Sequence, residues 1–425
     1  MNKKNLKWQN PLNFAKKISD NYGDESWIFL YSGLSEKIKN SVSYIALFPQ
    51  EEIIAENFFA AESILKNSDK KWFGYLSYEL GANLEKLPKT KNSPINLPKI
   101  WLINFAIILE FNHDEKKLTA FFQDQKLLDQ TLKYKAKSQI DSQVKIKNID
   151  SNFTDQSYLK AISDIKKMIA NGDFYQTNLT RKFFGKLTIK KETSSTYFSL
   201  FSRLCKLSPA NYSAFLSFKK NYIISASPEL FLTIDKNKIV KSCPIKGTAP
   251  RSENPKQDRI NKLELKNSEK EKAENLMIVD LVRNDLSRVC KAGSVEVKKL
   301  FTITSYKTIH HMSSEITGKI DKNYNAFNTV KACFPPGSMT GAPKIKAITE
   351  AAKKEKLNRG IYSGAIGIFD GDQQTNLSVV IRTLICKDDN FEFQTGGAIT
   401  FDSDEKKELA EIFSKAKAIF RLLKP

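Results

Sequence analysis

The chain is poor in the residues that build several common kinds of protein. Among its 425 residues are five cysteines and three histidines. The cysteines (Cys205, Cys243, Cys290, Cys333 and Cys386) are odd in number, scattered, and never form C-x-x-C. That argues against a disulfide framework and a cysteine zinc site, and fits free thiols in a reducing compartment. Three histidines are too few for a histidine-rich metal centre. No run of about 18 apolar residues occurs, so no membrane-spanning helix is expected. The start, M-N-K-K-N-L-K-W-Q-N-P, carries positive charge with no apolar stretch behind it, and does not read as a secretory signal. Together these absences point to a cytoplasmic protein. Arginine is also scarce, nine against 59 lysines.

That last imbalance bears on the formal net charge of +21. Such a charge suggests a nucleic-acid binder. Yet the lysines are spread along the whole chain, and the forked contacts that read phosphates and base edges favour arginine. The reading is a lysine-biased surface with no nucleic-acid partner, whose field still attracts anionic substrates.

What is present is ordinary globular composition, 41% hydrophobic and 27% charged, in a chain long enough for one large domain or two average ones. Residues 1–123 read as mixed strand and helix, with strand-like runs at Trp27–Tyr31, Ser43–Phe48, Trp72–Ser77 and Trp101–Glu110. Residues 124–152 are polar and read as a surface connection. Residues 153–425 form the larger unit. It opens with a helix over 153–170, capped by Thr154 and stopped at Asn171-Gly172. Strands follow at Tyr212–Phe218, Tyr222–Ile234 and Lys238–Pro244, as a meander. A second strand group is expected at Ile361–Phe369, Thr375–Cys386 and Phe391–Thr400, with a turn at Asp370-Gly371-Asp372 in it. Helices are expected at 268–287, 343–356 and 404–423. Strand groups mixed with helices, without strict alternation, indicate α+β.

Several segments could carry chemistry. Glu271 and Glu274, three apart, share a helix face, as do Glu408, Glu411 and Lys415 on the last helix. Two such helices could hold a hard cation such as Mg²⁺, which needs few protein carboxylates; the plain alternative is two solvated faces. F-P-P-G-S-M-T-G-A-P-K (334–344) could aim backbone N–H groups at an anion at a helix N-terminus, or be a turn and cap. It lacks the order of a nucleotide P-loop. Gly396-Gly397 inside a strand marks a bulge or a close backbone approach to a ligand. Arg382, in a β-branched run, is a fork for a carboxylate or half of an ion pair. Lys246 lies just past a strand, a surface residue unless a pocket desolvates it.

Taken together these segments resemble the chorismate-utilising enzymes. The matching pieces are N-G-D-F-Y-Q-T-N-L-T-R (171–181), S-A-S-P-E-L-F-L (225–232), P-I-K-G-T-A-P-R (244–251), A-E-N-L-M-I-V-D-L-V-R-N-D (273–285), H-H-M-S-S-E-I-T-G (310–318), the 334–344 loop, Y-S-G-A-I-G (362–367) and G-G-A-I-T-F-D-S-D (396–404). W-F-G-Y-L-S-Y-E-L (72–80) is the clearest match nearer the start. The resemblance implies a large antiparallel-sheet sandwich flanked by helices, with chorismate bound in a cleft of the C-terminal part.

It also implies roles. Glu274 and Glu411 would be Mg²⁺ ligands, supported by Glu271 and Glu408. Arg382 and Tyr362 would grip the pyruvyl carboxylate, with help from Gly396, Gly397 and Ala398. Ser338 and Lys415 would line the substrate site, and His311 would stand near the departing ring hydroxyl. Glu229 would protonate that hydroxyl. Water-using members carry a lysine where this chain has Gln176, which argues against them. Anthranilate synthases typically read P-I-A-G-T and aminodeoxychorismate synthases P-I-K-G-T, so Lys246 is the implied nucleophile. Tryptophan-regulated anthranilate synthases carry an L-E-S motif where this chain reads F-L-Y-S-G. The chain contains no glutaminase Cys/His pair, so ammonia is expected from a separate glutamine amidotransferase subunit.

Overall fold

The computed structural model describes every residue except 35–40, 67, 86, 89, 138–143, 191, 307–308, 372 and 424–425. Asp372 of the expected 370–372 turn and part of the expected 124–152 connection lie outside the described residues. Every pairing between named strands is antiparallel, and the strands form two sheets. The first runs in the order Asn2–Leu6, Lys117–Phe122, Ile100–Asn112, Val42–Ala55, Trp27–Tyr31, Tyr212–Phe218, Asn221–Ser227, Thr383–Lys387, Asn390–Ile399, Gln176–Ile189 and Val144–Ser151. The second starts on the far halves of Val42–Ala55 and Ile100–Asn112. It continues through Lys71–Leu76, Ala365–Asp370, Gln374–Val379, Leu230–Ile234, Ile239–Cys243 and Ile309–Lys319 to Glu296–Ser305. The two long strands belong to both sheets and hold them face to face. Ile100–Asn112 is apolar on both faces because both are covered, and all but two of its residues are buried.

Three apolar cores fill the layers. Ile28, Phe73, Trp101, Phe105, Leu216, Ile366 and Ile385 lie between the sheets. Phe14, Tyr158, Ile162, Phe198 and Ile419 pack helices on the first sheet. Phe58, Ile278, Val282 and Phe327 pack helices on the second. The arrangement is helix, sheet, sheet, helix, the α+β sandwich expected.

The N-terminal cap of the helix Asp155–Ala170 is as read: Thr154 Oγ1 accepts from the Ser157 amide at 3.1 Å. The described residues of the expected 124–152 connection are not all irregular. They hold the helix Gln125–Leu132 and the strand Val144–Ser151, which pairs with Gln176–Ile189. Its polar composition fits a mostly exposed edge strand.

Two expected strands are each divided. Tyr222–Ile234 is two strands, Asn221–Ser227 in the first sheet and Leu230–Ile234 in the second. Thr375–Cys386 is likewise Gln374–Val379 in the second sheet and Thr383–Lys387 in the first. The meander therefore stops at Ser227. At both points the chain crosses from one sheet to the other, and the crossings run side by side. The Val379 amide donates to Glu229 O at 3.0 Å, and the Ala226 amide to Arg382 O at 3.2 Å.

Candidate active site

A cleft of about 220 Å³ opens where the crossings meet. Its size suits a single-ring molecule rather than a polymer. Glu229, Lys246, His311, Ser338, Tyr362, Arg382, Gly396, Ala398 and Lys415 line it, together with Glu271, Glu274, Glu408 and Glu411. Gly397 is not itself a lining residue but abuts it: a Cβ there would stand 3.0 Å from Glu408 Oε2 and 3.7 Å from Glu411 Oε1. Gln176 is buried and paired in register with Ala342, and is not among the lining residues. Of the 334–344 loop, Ser338 and Met339 reach the cleft; the helix that begins at Lys344 does not present its N-terminus there.

The strand wall explains its own residues. Ile245–Pro250 pairs with Ile309–Lys319, Ile245 facing Ser313 and Thr248 facing His311. One extra residue is accommodated between those pairs, a β-bulge at Lys246-Gly247, and a bulge re-aims the side chain it carries. Gly247 has φ +87°, and a Cβ on it would sit 2.9 Å from Glu271 Oε2. Only glycine meets both conditions. Lys246 lines the cleft, where desolvation lowers its pKa below the ordinary lysine value against the opposing charge of Glu274.

Glu229 sits on the first crossing because Pro228 before it cannot donate to a ladder. Burial raises its carboxyl pKa, opposed by a hydrogen bond from Ser338 and the charge of Lys246. His311 is buried, with neither ring nitrogen partnered. Burial, then the charge of Arg382, push its pKa down to about 3, so it faces the cleft as a neutral imidazole.

Arg382 lies on the second crossing, at φ +52°, not inside a strand. A positive φ is strained for a non-glycine residue and persists where the surroundings enforce it. Here the Tyr362 turn does so: the Ser363 amide donates to Val380 O at 2.8 Å and the Val380 amide to Gly364 O at 3.0 Å. Arg382 Nη1 reaches Ser208 Oγ at 3.4 Å. Among the described residues no carboxylate comes within ion-pair distance of it, so the ion-pair alternative does not hold.

The helix wall is built differently. Ser268 caps Glu269–Ser287, accepting from the Glu271 amide at 3.3 Å, and so orients the turn bearing Glu271 and Glu274. Burial raises the pKa of Glu271, Glu274 and Glu408. At Glu411 burial pushes the same way, but Lys415 at 2.5 Å outweighs it and the pKa falls. Lys415 also donates to Gly396 O at 2.9 Å. Gly396-Gly397 forms no bulge, since the register of its ladder is unbroken. The glycine serves close packing within the sheet: a Cβ on Gly396 would meet Thr180 Cγ2 at 2.6 Å.

Among the described residues no group of three or more His, Cys, Asp or Glu side chains is placed to hold a metal ion by itself. What the wall offers is an open arrangement of carboxylates from two helices. Lys270 Nζ stands between them, 3.9 Å from Glu274 Oε1 and 3.7 Å from Glu408 Oε1, as a stand-in cation. With Lys246 and Glu229 set aside as a neutral pair, the four lining carboxylates Glu271, Glu274, Glu408 and Glu411 outnumber the lining cations Lys270, Arg382 and Lys415 by one. An anionic ligand would deepen that deficit, which a hard cation with few protein ligands would relieve. The residues fit such an ion.

Sequence reasoning missed Lys270, Asn178, Thr248 and Gln394, which also line the cleft. Gln394 is buried, and its Oε1 has no partner. Its alternation with Gly396 along one strand was the available signal.

Fold and site define a class, the two-sheet α+β proteins with a charged cleft at paired sheet crossings. Solved structures share that fold. Anthranilate synthase component I from Streptococcus pneumoniae TIGR4 superposes with TM-score 0.78 over 89% of this chain and 92% of that one, at 24% identity. The menaquinone-specific isochorismate synthase of Escherichia coli does so with TM-score 0.78 over 100% and 94%, at 16% identity. The family pattern described as chorismate binding enzyme matches residues 23–421, so the chain belongs to the chorismate-binding enzymes. It is 38% identical over 311 residues to the chloroplastic aminodeoxychorismate synthase of Arabidopsis thaliana, covering 72% of this chain. It is 33% identical over 352 residues to aminodeoxychorismate synthase component 1 of Escherichia coli, covering 82% of this chain and 76% of that one. The chain spans about a third of the length of the plant relatives (33% and 29%). Among the described residues no helix is long and apolar enough to cross a membrane.

Proposed function

We propose that this chain is the chorismate-aminating component of an aminodeoxychorismate synthase, converting chorismate and ammonia to 4-amino-4-deoxychorismate. The observation that carries the reading is the bulge that turns Lys246 into the cleft holding Glu229 and Arg382. Neutral Lys246 attacks ring C2, the ring double bonds shift, and the C4–O bond breaks. Glu229, whose carboxyl pKa burial raises, gives its proton to the departing oxygen, which leaves as water. Ammonia then forms the C4–N bond and the C2–Nζ bond breaks, returning the lysine; the pyruvyl group is retained. Covalent capture divides one hard displacement into two easier ones.

Arg382 and Tyr362 hold the pyruvyl carboxylate, with backbone support at Gly396, Gly397 and Ala398. His311 and Ser338 orient the ring hydroxyl. Mg²⁺, held by Glu274 and Glu411 with Glu271 and Glu408 in support, would neutralise the ring carboxylate. Ammonia is supplied by a separate glutamine amidotransferase subunit, or by ammonium in its absence. The product belongs to the supply of 4-aminobenzoate and folate. The five free cysteines support a reducing, cytoplasmic setting.

A second reading is anthranilate synthase component I, favoured by 32% identity over 346 residues to that enzyme of Saccharolobus solfataricus, covering 81% of this chain. One experiment separates the two. The chain is incubated with chorismate, Mg²⁺ and ammonium, and the product is identified by mass. Aminodeoxychorismate with no release of pyruvate is expected. Fluorescent anthranilate formed directly, without an added lyase, would overturn the first reading in favour of the second.

A further inference from the structure

We propose that Lys270 is a tethered cation that competes with the divalent ion for Glu274 and Glu408, and so sets the ion's affinity; the inference rests on the metal reading above. Lys270 lies in the first turn of Glu269–Ser287. Its ammonium reaches Glu274 on its own helix and Glu408 on the facing helix, at 3.9 and 3.7 Å. One charge thus spans the two helices. Both distances exceed those of a charge-assisted hydrogen bond, and the side chain is 44% exposed. The attachment is electrostatic and easily released.

The other lysine of the wall behaves oppositely. Lys415 is held at 2.5 Å by Glu411 and at 2.9 Å by Gly396 O. The two lysines are similarly exposed, 44% and 41%, so the difference lies in their contacts: Lys415 is pinned, whereas Lys270 is loosely held. A divalent ion drawn to Glu274 or Glu408 repels an ammonium a few ångströms away, and Lys270 is the group free to leave. Lys270 offsets part of the carboxylate charge before the ion arrives and weakens the ion's hold once it is there.

The test is ion binding, not turnover. The full chain, freed of metal by chelation, is titrated with Mn²⁺ followed by electron paramagnetic resonance and with Mg²⁺ followed by calorimetry. Lys270→Met is expected to bind both ions about three- to tenfold more tightly, the scale of one partly screened like charge removed. Lys270→Arg, which keeps the charge, should stay near the parent. Lys270→Gln serves the same comparison should the methionine variant fold poorly. Unchanged or weaker binding by the neutral variants, with Glu274→Gln weakening it, overturns the role of Lys270 and leaves the metal reading intact. If Glu274→Gln leaves binding unchanged, the metal reading falls and this inference with it.

Discussion

The cleft has two walls of different make. The strand wall carries Glu229, Lys246, His311 and Arg382, each fixed by a bulge, a sheet crossing or a buried ladder position. These groups have few partners of their own: His311 has none, and Arg382 has one long contact to Ser208. The helix wall carries Glu271, Glu274, Glu408 and Glu411, cross-linked by Lys270 and Lys415. One wall is geometrically fixed and short of hydrogen-bond partners; the other sets four carboxylates against two lysines, one of them loosely held. A fixed, desolvated group suits bond making, which depends on sub-ångström placement. Exchangeable ion pairs suit the uptake and release of a charged ligand. Changes at Lys246 and Glu229 should therefore strike rate, a change at Arg382 on the same wall should strike chorismate affinity, and changes on the helix wall should strike affinity for the ion.

The largest effect is expected at Lys246. Lys246→Ala should lower formation of aminodeoxychorismate by about 10³-fold or more, as loss of a covalent nucleophile does. Chorismate binding, measured by equilibrium dialysis, should change little. Near-parental turnover, or no Lys246 adduct when the parent is trapped with chorismate and Mg²⁺ and digested for mass spectrometry, would remove this lysine from the chemistry.

Next comes Glu229→Gln, expected to cost about 10²- to 10⁴-fold in kcat, the range for a general acid. Its pH signature is more specific than its size. Lys246 attacks only when neutral, so rate rises with pH through the lysine's lowered pKa. Glu229 donates only when protonated, so rate falls as pH passes its raised pKa. The profile of kcat/KM should be bell-shaped, with limbs that belong to the coupled pair. Glu229→Gln should retain the acid-side limb and lose the alkaline one; retention of both limbs would assign the falling limb to another group.

These two residues also show what the sequence could disclose. The sheet class, the capped helix at Thr154 and the two carboxylate helices were all legible, because each rests on local periodicity or a cap. The sheet crossings were not. Tyr222–Ile234 and Thr375–Cys386 read as unbroken strands because their apolar runs continue through the crossing, each half being buried in a different sheet. Pro228 was a visible breaker at the first crossing. Val380-Ile381-Arg382 holds no breaker at all, since its break is imposed by hydrogen bonds to the Tyr362 turn. Lys246 illustrates the other limit. Its position was readable, but its environment depends on a bulge whose existence needs the partner strand.

Arg382→Lys follows in size. A lysine keeps the charge and loses the planar fork that grips a carboxylate in two places. KM for chorismate should rise about 30-fold, the equivalent of roughly 2 kcal/mol, with kcat less affected. A fall in kcat alone would mean that Arg382 acts through the strained crossing rather than through substrate.

The smallest effects should come where the walls touch. Each helix presents one carboxylate to a glycine on a strand, Glu271 to Gly247 and Glu408 to Gly397. The two contacts are alike in distance, 2.9 and 3.0 Å from the missing Cβ, but not in backbone. Gly247 has a positive φ, so Gly247→Ala adds strain of about 1–3 kcal/mol to the bulge that aims Lys246. It should slow adduct formation by about tenfold or more. Gly397 has no such φ, so Gly397→Ala only presses on Glu408. That pressure should weaken Mg²⁺ binding a few-fold, on the scale of about 1 kcal/mol, while the rate at saturating Mg²⁺ recovers. If Gly247→Ala were instead rescued by Mg²⁺ and Gly397→Ala were not, the division between a wall for chemistry and a wall for charge would be reversed. The two glycines thus test that division with a single methyl group each.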